Sequence, residues 1–157
     1  MGMKTWMLTL LFFLAVGSAA AESKDEDPAE LKDRRVVVYY LHPGCRSFIC
    51  RKLERMTAES VAQNFAEQMA SGLLEFKSVN YHEPKYAYLA RNYKVLEGNK
   101  AVVLSEMLNF KEVRKRPLDK MWALSSSPEP DYKRYVREET EDFIRQGDRV
   151  LNLRSLK

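Results

Sequence analysis

"VVVYYLHPGCRSFIC", residues 36–50, decides the reading of the fold. Its first six residues are an unbroken β-branched and aromatic run. Such a run suits a strand covered on both faces, and so a central strand of a mostly parallel sheet. Pro43 and Gly44 then mark a turn. From Phe48 onward, Ile49, Leu53 and Met56 recur at helical spacing. The stretch therefore reads as strand, turn and helix. Both cysteines of the chain, Cys45 and Cys50, lie where strand gives way to helix, together with His42, one of only two histidines.

The pattern continues outward. The helical spacing runs to about Ala70, with Val61, Phe65 and Met69 as a second stripe. Ser60 and Gln63 resemble a capping box, so a kink or restart is expected near Thr57. Ser71–Gly72 ends the helix. "LLEFKSVN" (73–80) reads as a second strand. "HEPKYAYLARNY" begins a short helix with Pro84 at its first position. "KAVVLSE" (100–106) is a third strand, 107–109 a turn, and "FKEVRKR" (110–116) a returning antiparallel strand. "PLDKMWAL" (117–124) reads as a short helix. "SSSPEP" (125–130) is a loop before a last amphipathic helix, capped by Asp131, with Tyr132, Tyr135, Val136 and Phe143 on its inner face. The final eleven residues, 147–157, show no clear order.

Upstream, Lys4 precedes the apolar run Thr5–Gly17, and "SAAA" offers a small-residue cleavage site after Ala21. This predicts a signal peptide over 1–21 and an exported chain, periplasmic or secreted. A membrane anchor is the rival reading, but the run falls short of the roughly 20 residues a spanning helix needs. No stable membrane anchor is expected after cleavage. Residues 22–35 hold ten charges and almost nothing apolar, which predicts a solvated linker. The folded domain is expected over 36–146.

The whole chain carries 26 basic and 22 acidic side chains. Loss of the leader removes one lysine and leaves the balance mildly basic. No basic stripe is interleaved with stacking aromatics, so nucleic acid is not an expected partner. "KEVRKR" (111–116) reads as a charged edge strand that discourages sheet-to-sheet aggregation.

The predicted order is β-α-β-α-β-β-α, a four-stranded mixed sheet with helices on both faces and an extra C-terminal helix. This is a thioredoxin-like order, and a redox motif in that fold sits where the first strand meets the first helix. The chain also resembles the nitroreductase subunit ArsF family over about residues 36–145. The resemblance rests on "VVVYYLH", on Arg46 followed by Cys50-Arg51-Lys52, on "NFAEQMASG" leading into "LEFKSVN", on Glu83-Pro84, and on "VVLSE". The family pattern runs H-x-x-x-R-C-x-x-C-R-K. His42, Arg46, Cys50, Arg51 and Lys52 match it, while its first cysteine falls on Ser47. Catalytic thioredoxins also place a cis-proline before the third strand of this order, where this chain has "EGNKAVV". The resemblance implies a thiol-based protein. It does not imply nitroreduction here, because no flavin or nicotinamide fingerprint is present and no cofactor is expected.

The candidate reactive residues are Cys45 and Cys50, supported by His42, Arg46 and Ser47. Ser47 suits a helix N-cap. A serine hydroxyl takes no part in thiol–disulfide exchange, so a dithiol here would have to be Cys45 with Cys50. Within one regular helix the two would be about 7.5 Å apart along the axis, beyond the roughly 7 Å limit for a bridge. A disulfide therefore requires Cys45 in the loop. It would contribute about 2 kcal/mol, which makes a redox role at least as reasonable as a structural one. Cys45, beside Arg46, is expected to be the exposed attacking thiol, and Cys50 the buried resolving one. A protein thiol or disulfide is the partner this chemistry implies.

A plainer reading makes Cys50 a small core side chain and the domain a non-catalytic binding or accessory module. A third reading joins His42 to both sulfurs for copper or zinc handling. It is the weakest of the three, since His82, the only other histidine, is expected to begin a helix. No metal is assigned.

Overall fold

The computed structural model describes residues 33–44 and 46–154. Residues 1–32, on which the expected signal peptide and most of the expected linker fall, together with Cys45 and residues 155–157, lie outside the described residues.

Four strands form one mixed sheet in the order β2-β1-β3-β4. Strand β1 (Arg34–His42) is central, parallel to β2 (Leu74–Asn80) and antiparallel to β3 (Ala101–Leu108). Strand β4 (Lys111–Pro117) pairs antiparallel with β3 and forms an edge. The apolar run at 36–41 is thus interior, as its composition requires. Alternate side chains enter two cores. Val36, Val38 and Tyr40 pack with Cys50, Leu53, Met56 and Val61 of α1 (Phe48–Asn64) and with Tyr132, Val136 and Phe143 of α4 (Glu129–Arg154). Leu41 packs on the other face with Val79, Val103 and Leu89 of α3 (Ala87–Asn92). Helices therefore cover both faces of the sheet. None of the helices among the described residues is long and apolar enough to cross a membrane.

Several boundaries differ from the sequence expectation. Helix α1 runs unbroken through Thr57 and Ser60. Both residues face α4 instead of capping a new helix. The Thr57 hydroxyl bonds the Leu53 carbonyl at 2.8 Å and meets the Tyr132 hydroxyl at 2.9 Å, and the Ser60 hydroxyl donates to the Lys133 carbonyl at 2.7 Å. The break falls at Phe65, whose φ of −132° leaves the helical region before the short α2 (Ala66–Ala70). Pro84 does not start α3. The chain makes successive turns from Asn80 to Tyr86, and the helix begins at Ala87.

Strand β3 extends to Leu108, and the turn is Asn109–Phe110, both at positive φ. Such a two-residue turn matches the twist of its flanking strands. Residues 117–124 hold only a single 3-10 turn, Asp119–Met121. Helix α4 begins at Glu129, ahead of Asp131, and continues to Arg154, well past the point where order was expected to end.

An ionic cluster fastens this extension. The Glu106 carboxylate receives Arg34 at 2.6 Å and Arg114 at 2.8 Å. Arg34 also pairs with Asp148 and donates to the Ile144 carbonyl at 3.0 Å. The domain therefore spans at least Arg34 to Arg154.

Candidate functional site

The strand-to-helix turn follows β1 and leads into α1. Strand β1 ends in His42, and Ser47 opens α1. Ser47 is the N-cap, with extended backbone, and its hydroxyl accepts the Cys50 N–H at 3.4 Å. The serine thus occupies a helix-capping position, as its residue type predicts.

Cys50 is the third residue of α1 and is fully buried. It belongs to the core shared by β1, α1 and α4. Its sulfur lies 3.4 Å from the Tyr40 hydroxyl, which also donates to the Cys50 carbonyl at 2.7 Å. Burial, together with this contact to Cys50, holds the Tyr40 phenol far above the ordinary tyrosine range. Tyr40 therefore stays a neutral donor beside the thiol.

His42 is buried. Its Nδ1 lies 2.8 Å from the Pro43 carbonyl oxygen, which only accepts, so Nδ1 carries a proton. Its ring neighbours that of Tyr40 at 6.0 Å. Arg46 is paired with Glu54, in the second turn of α1, and its carbonyl accepts a bond from Arg51 at 2.7 Å. The Arg46 guanidinium thus already has a carboxylate partner. Among the described residues, no three His, Cys, Asp or Glu side chains are grouped to hold a metal. Cys45, the residue expected to attack, lies outside the described residues.

Two features of the site were not read from the sequence. Phe48, the first residue of α1, is 76% exposed and gives the loop an apolar rim. His82 does not begin a helix; it occupies the turn after β2 and meets the loop. Its Nδ1 accepts the Gly44 N–H at 3.4 Å, and its Nε2 lies 2.7 Å from the Glu97 carboxylate. Sequence spacing gives no hint of this, since 38 positions separate Gly44 from His82. The parallel register of β1 and β2, which sets His42 opposite Asn80, brings the two loops side by side.

No protein-family model matches the chain, and no curated protein matches it. The geometry of the site stands alone as the guide to function.

Proposed function

We propose that this chain is an exported thioredoxin-like protein whose loop thiol, Cys45, and buried thiol, Cys50, carry out thiol–disulfide exchange with a protein partner. The strand order β2-β1-β3-β4, with the cysteine loop leaving the central strand, supports the thioredoxin-like reading. The observation that carries the chemistry is the position of Cys50. A thiol fully buried in the first turn of α1 does not meet a partner first, but it is suited to resolve a bond formed at the neighbouring loop.

In the forward direction the Cys45 thiolate attacks a partner disulfide. One partner sulfur leaves as a thiolate, and a mixed disulfide forms. The Cys50 sulfur then attacks the Cys45 sulfur and closes the Cys45–Cys50 bond. The second partner sulfur departs and takes up the proton Cys50 loses. Two protein thiols are oxidised and one partner disulfide is reduced. Exposed Phe48 offers the partner an apolar contact beside the loop.

A non-catalytic accessory module is the second reading, and a different observation favours it. Ser47 occupies the helix cap, and Arg46 is paired with Glu54. Both reduce the stabilisation a loop thiolate would otherwise receive. Thiol counting with and without reductant, alongside an insulin-reduction assay, separates the two. Exchange predicts a reducible Cys45–Cys50 bond and reductase activity that Cys45→Ala abolishes. Two persistently free thiols and no activity would leave the accessory module.

A further inference from the structure

We infer that the open edge of β2 pairs with β2 of a second copy of this chain, antiparallel and centred on Phe76, so that two four-stranded sheets join about a two-fold axis.

Strand β2 ends the sheet, with β1 on one side only. The Val36 N–H donates to the Leu73 carbonyl at 2.6 Å, and the Tyr81 N–H donates to the His42 carbonyl at 3.0 Å. The odd-numbered residues of β2 therefore face β1. Leu74, Phe76 and Ser78 turn their N–H and C=O groups to the open side. Among the described residues, no backbone partner meets these outward groups. Such a row is a template for another strand.

The side chains select which strand fits. Glu75 and Lys77 stand together on one face of β2, 3.1 Å apart and partly exposed. Leu74 and Phe76 stand on the other face and pack with the core that includes α1. In antiparallel pairing centred on Phe76, Glu75 lies opposite Lys77 of the second copy, and Lys77 lies opposite its Glu75. These are the non-hydrogen-bonded positions, where opposed side chains come closest. Phe76 meets its own counterpart across the axis.

The neighbouring registers are penalised. Centring the pair on Glu75 opposes two carboxylates, and centring it on Lys77 opposes two ammonium groups. The sequence of β2 is thus complementary to itself in one alignment and repels itself in the alignments on either side. An isologous contact of this kind closes on itself and does not propagate. The other edge of the sheet lacks this property. Strand β4 sets Lys111, Arg114, Lys115 and Arg116 against the single acid Glu112 and ends in Pro117, so a second copy meets mostly like charge there.

The strand-to-helix turn after β1 lies at the Asn80 end of β2, beyond the paired segment. Antiparallel pairing therefore places the two turns at opposite ends of the joined sheet.

The test is sedimentation of the mature protein from about 1 μM to about 1 mM, in reductant so that no disulfide links two copies. Hydrogen exchange at the Phe76 and Ser78 amides is followed over the same range. The mass should rise from one chain to two, and both amides should gain protection as it does. Lys77→Glu should weaken association about tenfold or more, because both opposed pairs become carboxylate pairs. Glu75→Lys combined with Lys77→Glu restores opposite charges and should recover most of the loss. Ser78→Pro removes an outward N–H that β1 does not use. It should abolish the dimer while leaving the thermal midpoint of the dilute protein unchanged.

A single chain at every concentration would overturn the inference. So would protection of Phe76 and Ser78 that is independent of concentration, since a segment of the same chain would then cover the edge. A dimer indifferent to Lys77→Glu and to Ser78→Pro would place the contact on another surface and overturn it equally. The surface charge variants keep the test decisive if Ser78→Pro fails to fold.

Discussion

Tyr40 and Cys50 are joined twice: the phenol hydroxyl donates to the Cys50 carbonyl at 2.7 Å and lies 3.4 Å from its sulfur. A strand residue thereby reaches across the core to the first turn of the helix that follows it. Both residues are fully buried, so water competes for neither contact.

Native-state alkylation should therefore label Cys45 first and Cys50 only on opening of the core. Tyr40→Phe removes the hydroxyl without a large change in volume and should cost about 1 kcal/mol in urea unfolding. Labelling of Cys50 in that variant should accelerate about fivefold, in step with the lost stability. Cys50 labelling as fast as Cys45 in the native wild-type protein would contradict its position.

Buried phenols also set an alkaline limit. Burial pushes Tyr132 up to about 12, offset in part by its bond with Thr57. Tyr40 and Tyr93 are raised as well, each mainly by burial. Unfolded tyrosines ionise near pH 10, so above that point the unfolded state loses protons that the fold retains. The contribution of these groups is complete below about pH 10 and declines as pH rises toward about 12. Urea midpoints should hold between about pH 8 and 9.5 and fall steeply beyond about pH 10. Tyr132→Phe should flatten that fall; an unchanged slope would exclude Tyr132 as a contributor.

Ser47→Ala tests the cap. The bond from the Cys50 N–H is long at 3.4 Å, so the expected cost is about 0.5–1 kcal/mol, with insulin reduction little altered. Ser47→Cys restores two residues between the thiols and should raise reductase activity, because the helix N-terminus stabilises a thiolate at that position. An unaltered rate would locate the limitation elsewhere, with the chain that enters β3 at Asn99–Lys100 as the next segment to test.

The order of elements was legible because it depends on local composition. Val36–Leu41 carries no polar break, and the stripe Ile49-Leu53-Met56 repeats at helical spacing. The Ser47 cap and the burial of Cys50 followed from the same local patterns. What escaped the sequence depends on contacts between distant segments. Thr57 and Ser60 look like a helix start until α4 supplies the partners Tyr132 and Lys133. The last turns of α4 look unordered because their stabilisation comes from Arg34 and Glu106, far away in the chain. His82 escaped for the same reason, since only strand pairing sets its turn against Gly44.

The cluster that holds α4 gives the sharpest test, because it reverses the sign of a familiar substitution. Gly147 is buried inside the helix, and a glycine there ordinarily costs about 1 kcal/mol relative to alanine. In open space Gly147→Ala would therefore stabilise. Here an added Cβ would fall well inside van der Waals contact with the Arg34 guanidinium, the Glu106 carboxylate and the Arg114 guanidinium. The arginine ends are flexible in isolation, but both are held. Arg34 Nε lies 2.6 Å from Glu106, and Arg114 Nε lies 2.8 Å from the same carboxylate, whose side chain is only 7% exposed. Moving either guanidinium uncouples a buried charge. Gly147→Ala should thus destabilise by about 1–3 kcal/mol, the range for overpacking. Glu106→Ala should cost about 3 kcal/mol or more, since it leaves two arginines facing each other without their carboxylate. Combined, the two should cost less than their sum, because the alanine then enters a site the carboxylate has vacated. Urea unfolding of the four proteins measures all three terms, and a net gain in stability from Gly147→Ala alone would show that the cluster does not hold the helix as described.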